Sequence, residues 1–365
     1  MSIGLLYDPL FLEHDHPAHP ENSRRLRAIV NRLRASEVWD QLQPIAFTAA
    51  GVEDLTAIHA PAYVGRVYAL AERGGGSLNP DTYLNKASFS AAALAVGASI
   101  AAAEAVMSGV VQRAFALVRP PGHHAFPSHG EGFCLFNNVA FAALSALGEI
   151  HPAHDLSWSP SAVRNHRNAA SERVMIVDFD VHHGNGTQAI FYDDPRVLFI
   201  SVHEYGWGMY PGTGSLHERG EGAGKGTTVN IPLPAGAGDL AYAQVFDEVI
   251  APLAERFRPQ ALIISAGFDA HWRDPLAHMQ LSLAGFGRII RVLRDLSEAV
   301  CSGRMVLVLE GGYDLEALSY GVLNTFRVLL GEDDIEDPLG AALTQETPID
   351  DVLSAVQRLG IVSAF

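Results

Sequence analysis

Residues 174–187 read V-M-I-V-D-F-D-V-H-H-G-N-G-T, and this stretch sets the terms for the rest of the chain. An apolar run rich in β-branched residues passes directly into two carboxylates and two imidazoles, then into a Gly-Asn-Gly-Thr turn able to open a helix. Such a run reads as a buried strand, and in an open parallel α/β sheet the carboxyl end of the strand faces the ligand crevice. Side chains two apart share a strand face, so Asp178, Asp180 and His182 are expected to project together if the backbone stays extended that far. An Asp and a His at this spacing suit a metal ion.

Strands and helices alternate through the remainder. The pattern predicts strands at 3–7, 114–118, 196–203, 261–266 and 305–309. It predicts a first helix capped by Asn22 or Ser23 with an apolar stripe of Leu26, Ile29, Val30 and Leu33 and arginines over most of its other face, and further helices at 61–73, 139–147, 239–257 and 283–300. The alanine-rich run 90–111 carries Glu104 and Gly97 and reads as a buried helix, not a membrane span. This order argues for a mostly parallel sheet covered on both faces. One domain spanning residues 1–365 is expected, with a core at about 3–330, a polar insertion at 151–173 and a C-terminal tail at 331–365.

Hydrophobic residues at 48% allow a large core, and the formal charge of −16 argues against nucleic acid as a partner while favouring cationic ones. No export signal or membrane span is read, and two cysteines, Cys134 and Cys301, make no disulfide framework, so a cytoplasmic setting is expected. His14, His16 and His19 read as part of a polar surface loop, and His151, His154 and His166 as solvent-exposed.

The chemistry gathers after strands. Asp180, His182 and Asp269 supply the three protein ligands of a hydrolytic zinc site with one open position. His123 and His124 follow R-P-P-G on a loop suited to acid–base work, and each needs a partner to fix its tautomer. A buried Asp behind one and a neutral Asn behind the other would separate their pKa values; Asp178 and Asn185 are the candidates. Tyr313, after two glycines, is placed to aim a hydroxyl at a developing oxyanion.

At these residues R-P-P-G-H-H-A, G-F-C-L-F-N-N, D-F-D-V-H-H-G-N-G-T-Q, Y-P-G-T-G, S-A-G-F-D and L-E-G-G-Y occur in order, and together the chain resembles the histone deacetylase and acetylpolyamine amidohydrolase superfamily. The Asn of H-H-G-N-G-T-Q and the E-G-G-Y form resemble the class II branch and its bacterial relatives. The resemblance implies a single-domain arginase/deacetylase-like α/β fold, with an eight-stranded parallel sheet flanked by helices on both faces. It also implies one Zn²⁺ per chain on Asp180, His182 and Asp269. His123, paired with Asp178, would act electrostatically; His124, backed by Asn185, would be general base and then acid; Tyr313 would hydrogen-bond the substrate carbonyl.

The same resemblance places Gly132, Phe133 and Tyr210 at the wall of an acyl-lysine tunnel, where Tyr210 would make the mouth more polar than the usual phenylalanine. Leu276 stands where polyamine enzymes carry a carboxylate. Asp81 would hold a peptide backbone or a cation at the rim, or serve only as a turn residue. A monovalent cation, K⁺ or Na⁺, is implied at Asp178, Asp180, His182, Ser201 and Val202, and another at Phe191, Asp194 and Val197. Arg25 matches an arginine of a product exit channel, its alternative being a solvated helix face. The insertion 151–173 would cover the mouth or mediate assembly into a homo-oligomer.

The expected function is a zinc-dependent deacylase acting on N-ε-acetyl-lysine in proteins or peptides and releasing acetate. The alternatives are an acetylpolyamine or other small-molecule amidohydrolase, a binuclear manganese ureohydrolase on the same fold, and a catalytically silent acyl-lysine-binding module.

Overall fold

Each apolar run singled out above forms a strand, and all of them pair in one sheet. The structure, a computed structural model, describes residues 2–150 and 172–363. In chain order the strands are β1 (Ile3–Leu6), β2 (Leu42–Pro44), β3 (Gly75–Asn79), β4 (Thr82–Asn85), β5 (Arg113–Ala116), β6 (Val174–Asp178), β7 (Val197–Glu204), β8 (Thr228–Leu233), β9 (Ala261–Ala266) and β10 (Met305–Leu309). Eight of them make a sheet in the order β2-β1-β5-β10-β9-β6-β7-β8, every pairing parallel. Strands β5, β6, β9 and β10 are buried along their whole length, which is why they read as unbroken apolar runs rather than as alternation.

Parallel pairing requires crossovers, and the helices that supply them cover both faces. Ser23–Arg34 packs on Leu315–Leu330, which in turn packs on Leu283–Cys301; Ser88–Met107 packs on Asn138–Ala146 across the sheet. Ser88–Met107 is long and apolar enough to cross a membrane by composition, yet most of it is buried against the sheet and its neighbours. The segment 239–257 is helical with a π turn at Phe246–Ile250, just ahead of Pro252, which has no N–H to continue a regular ladder.

Four strands lie outside the sequence reading. β2 and β8 are the two edges of the sheet and each contains a proline, Pro44 and Pro232, which weakens the strand pattern and at the same time blunts an edge against pairing with another chain. β3 and β4 form an antiparallel hairpin whose turn is N-P-D-T, following the helix at Pro61–Glu72. The C-terminal tail is also more than a tail: Asp350–Arg358 is a helix against β8, and Ile349, Leu353, Val356 and Ile361 join the main core.

One expectation about polar groups is corrected and one alternative is removed. His14 does not lie on a surface loop but is buried, its Nδ1 2.7 Å from Ser88 Oγ and its ring stacked on Tyr83; His19 packs edge-on against Phe133. Arg25 does not face solvent: it is buried, bonded to Glu21 and to the carbonyls of Glu310 and Gly312. His151, His154 and His166, with residues 151–171 of the polar insertion, lie outside the described residues.

Candidate active site

The chain leaves β5 and returns as β6 three positions further along the sheet, with β10 and β9 between them, so the loops after these four strands converge on one crevice. β6 stops at Asp178, and the extended backbone does not persist to His182. Two side-chain turns do the gathering instead: Asp178 Oδ1 accepts the Asp180 N–H at 3.1 Å, and Asp180 Oδ1 accepts the His182 N–H at 3.0 Å. His182 Nδ1 then lies 3.2 Å from Asp180 Oδ1 and 3.3 Å from Asp269 Oδ2.

Both carboxylates are anchored on their remaining oxygens. Asp269 Oδ1 accepts the Val181 N–H at 2.9 Å and Asp180 Oδ2 accepts the Gly311 N–H at 2.8 Å. A β-carbon at Gly311 would sit on the Asp269 and Asp180 carboxylates, so only glycine allows the backbone this close. One donor atom from each of Asp180, His182 and Asp269 lies within 4.8 Å of the others, and buried Asp269 Oδ2 has no hydrogen-bond partner among the described residues. Burial raises the Asp269 pKa and the Asp180 charge raises it further. Two buried carboxylate oxygens and one imidazole nitrogen converging on a point fit a divalent cation with zinc's preferences.

Beside this trio stand the two histidines, ring centroids 3.9 Å apart. His123 Nδ1 is 3.0 Å from Asp178 Oδ2, and His124 Nδ1 is 2.8 Å from Asn185 Oδ1. Asn185 opens the helix Asn185–Phe191, and its amide is oriented by donating to Glu131 Oε1 at 2.7 Å. The partners split the pair. Burial disfavours either imidazolium, but at His123 Asp180 and Asp178 overcome it and raise the pKa to about 10. At His124 burial and the neighbouring His123 and His182 act together and hold the pKa well down.

A cavity of about 300 Å³ leads to these groups, lined among others by Gly132, Phe133, Tyr210, Leu276, Asp81 and Tyr313. Gly132 (φ 54°) passes so close to His124 that a β-carbon would meet its ring, and Phe133 takes φ 69°, a left-handed conformation that costs a non-glycine residue energy and turns its ring across Tyr313. Tyr210 packs edge-on to His124 at 5.0 Å. Its hydroxyl is buried, which corrects the expectation of a polar group at the mouth. Burial keeps the Tyr313 hydroxyl protonated, with the Arg25 guanidinium 4.9 Å from the ring centroid.

The proposed cation positions fall into two groups. Asp178 pairs in register with Ser201, next to Val202, and Ser201 Oγ is 2.9 Å from His203 Nδ1. The Asp194 N–H donates to the Phe191 carbonyl, and the Asp194 carbonyl accepts from Val197 N–H and the Thr227 hydroxyl.

Sequence reasoning missed several buried acids. Asp274 Oδ2 accepts the Tyr313 N–H at 2.6 Å, and Glu310 Oε2 accepts the N–H groups of Gly122 and His123. Glu21 binds Arg119 in a two-point pair and Arg25 beside it. A carboxylate that serves backbone N–H groups leaves no spacing rule in sequence. The one clue was acids lodged within apolar or glycine-rich runs, as in L-E-G-G-Y.

Comparison with known proteins agrees with this geometry. The chain matches the histone deacetylase domain over residues 19–329. It is 40% identical over 365 residues to histone deacetylase 14, chloroplastic, of Arabidopsis thaliana, covering 95% of this chain and 81% of the relative. It is 38% identical over 334 residues to a histone deacetylase-like amidohydrolase of Pseudomonas aeruginosa, covering 91% and 82% respectively. Among solved structures, an HDA15 HD domain superposes with a TM-score of 0.85 at 37% identity, covering 100% of this chain and 95% of the other. With an eight-stranded parallel sheet flanked by helices and a domain match across most of its length, this chain belongs to the histone deacetylase family.

Proposed function

We propose that the protein is a zinc-dependent deacylase that hydrolyses N-acetyl amides of primary amines, acetyl-lysine side chains of proteins or peptides first among them. The observation that carries this reading is the convergence of Asp180, His182 and Asp269 within 4.8 Å, beside an imidazole whose partner is a neutral amide. A zinc ion held by those three residues supplies Lewis acidity toward the amide carbonyl and the attacking water.

The chain's own residues divide the rest. His124 donates its Nδ1–H to Asn185 Oδ1, which leaves Nε2 with a free lone pair to take the proton of the attacking water. The same nitrogen returns that proton to the departing amine. His123, held by Asp178, contributes positive charge next to the reacting centre. The Tyr313 hydroxyl donates to the carbonyl oxygen as charge develops there. Phe133, Tyr210 and Leu276 line the way in, and their apolar surface excludes water and strengthens these interactions.

Apolar Leu276 at the cavity wall supports acyl-lysine over polyamine, since it offers no charge to a distal ammonium. Asp81 in the same wall favours the second reading, an acetylpolyamine amidohydrolase. A monovalent cation, K⁺ or Na⁺, behind Asp178 and Ser201 would fix the strand ends. Two buried free thiols, Cys134 and Cys301, support work in a reducing cytoplasm. The deciding experiment compares kcat/KM of the zinc-loaded enzyme on acetyl-lysine peptides and on acetylated polyamines. Preference for peptides is expected; a hundredfold preference for polyamines would transfer the assignment to the second reading, and turnover of neither would end both.

A further inference from the structure

We infer that Glu310 is a positioning residue for the histidine pair: from the end of β10 it holds the main chain at Gly122 and His123, and so sets where His123 and His124 stand relative to the metal-ligating carboxylates. The inference rests on the reading of His124 as the proton-transfer base.

Midway along the loop after β5, Pro120 and Pro121 have no N–H to tie it down. The next two donors along the chain are the N–H groups of Gly122 and His123, and both go to one oxygen, Glu310 Oε2, at 2.7 and 3.2 Å. The carboxyl is fully buried, where an unmet N–H is costly and a met one is rigid. Glu310 itself is fixed at both main-chain atoms: its N–H donates to the Ala266 carbonyl at 3.0 Å, and its carbonyl accepts from Arg25 Nη2 at 2.5 Å. The next residue, Gly311, donates to Asp180 Oδ2. Two consecutive residues of β10's end therefore grip the two halves of the site, the histidine loop through a side chain and the metal-ligating Asp180 through a backbone N–H.

Glu310 touches neither substrate nor the reacting atoms in this arrangement, so its effect passes through His123 and His124. Oε1, the other carboxyl oxygen, has no hydrogen-bond partner among the described residues. The grip on the main chain thus uses one acceptor oxygen at the right reach, apart from the negative charge that Glu310 also presents to His123.

Two substitutions separate reach from charge. Glu310→Gln keeps an acceptor oxygen at full reach and removes the charge; Glu310→Asp keeps the charge and withdraws the oxygen by one methylene. Expected for Glu310→Gln is kcat within about threefold of wild type. Expected for Glu310→Asp is a fall in kcat of about ten- to a hundredfold, the penalty of a misplaced catalytic group, with KM and the metal content per chain unchanged. Retained activity in Asp with loss in Gln, equal loss in both, or no loss in either overturns the inference, as does a Glu310→Asp defect confined to KM or metal content. The assay runs alongside wild type and Tyr313→Phe on the same acetyl-lysine peptide. Turnover by wild type that collapses in Tyr313→Phe leaves the proposed function standing even where the Glu310 pattern fails; no turnover by wild type fails the function first.

Discussion

His123 and His124 are neighbours in sequence and contact each other in space, yet a carboxylate behind one and an amide behind the other make them different reagents. Replacing Asn185 with Asp puts a negative charge behind His124 and favours its imidazolium. The acid limb of the kcat/KM profile, which in the proposed mechanism requires neutral His124, is then expected to move to higher pH. Tyr313→Phe removes the proposed oxyanion donor and is expected to lower kcat by about a hundred- to a thousandfold, measured with metal content held constant. Glu21 yields a stability prediction. Burial alone would raise its pKa, but Arg119, bonded at 2.5 and 2.7 Å, with Arg25 and His14 behind it, pulls the pKa down to about 2. A carboxyl lowered on folding stabilises fully above its unfolded value near 4.5, and that contribution disappears as pH falls toward 2. The shift corresponds to about 3 kcal/mol. Glu21→Gln is expected to destabilise the fold by about 3–5 kcal/mol at neutral pH, because two buried guanidinium groups lose their anion, and to flatten the acid limb of a chemical-denaturation series.

The loops after strands carry the candidate site, and acids tie them to neighbouring backbone. Asp274, on the loop after β9, holds the N–H groups of Tyr313 and Asp314 with one oxygen and that of Leu276 with the other. Burial, aided by the Asp269 charge, raises its pKa to about 7. Asp274→Ala leaves those donors unmet and lets Tyr313 drift; kcat is expected to fall at least tenfold on an acetyl-lysine peptide with metal content unchanged. The C-terminal helix Asp350–Arg358 offers the contrasting case, since it packs on the edge strand β8, away from the crevice. Leu353→Ala is expected to cost about 2–4 kcal/mol in denaturant unfolding while leaving kcat at 25 °C unchanged. Loss of activity without loss of stability would show that this helix acts on the site.

Across the whole molecule, folding brings two buried carboxylates, Asp180 and Asp269, to either side of one imidazole. The fold bears that charge most easily with a cation between them. Chelation is expected to abolish activity and to lower the unfolding free energy, by about 4 kcal/mol when the displaced ion had been present at a thousandfold its Kd, and zinc should restore both. Calorimetry with and without chelator measures it; an unchanged unfolding transition would mean that the ion contributes nothing to holding these loops together.

How much of this was legible beforehand follows from the range of each interaction. A strand buried on both faces writes itself as an apolar run, so β6, β9 and β10 could be read residue by residue, and the acids and imidazoles at their ends announced the chemistry. The edge strand β2 is three residues long and reads L-Q-P, and the alternation of Val229, Ile231 and Leu233 in β8 is interrupted by Pro232, so neither stands out as a strand in local pattern. The same limit hid Glu310, Asp274 and Glu21. The two-point partner of Glu21, Arg119, lies 98 positions away, and the partners of Glu310 and Asp274 belong to the backbone, which has the same donors at nearly every residue and leaves no mark on the identity of its neighbours. Composition and order thus specified which candidate groups stand at which strand ends. The spacing between those groups came from packing, because a parallel sheet joins segments far apart in the chain and only its assembled order puts β5, β10, β9 and β6 side by side.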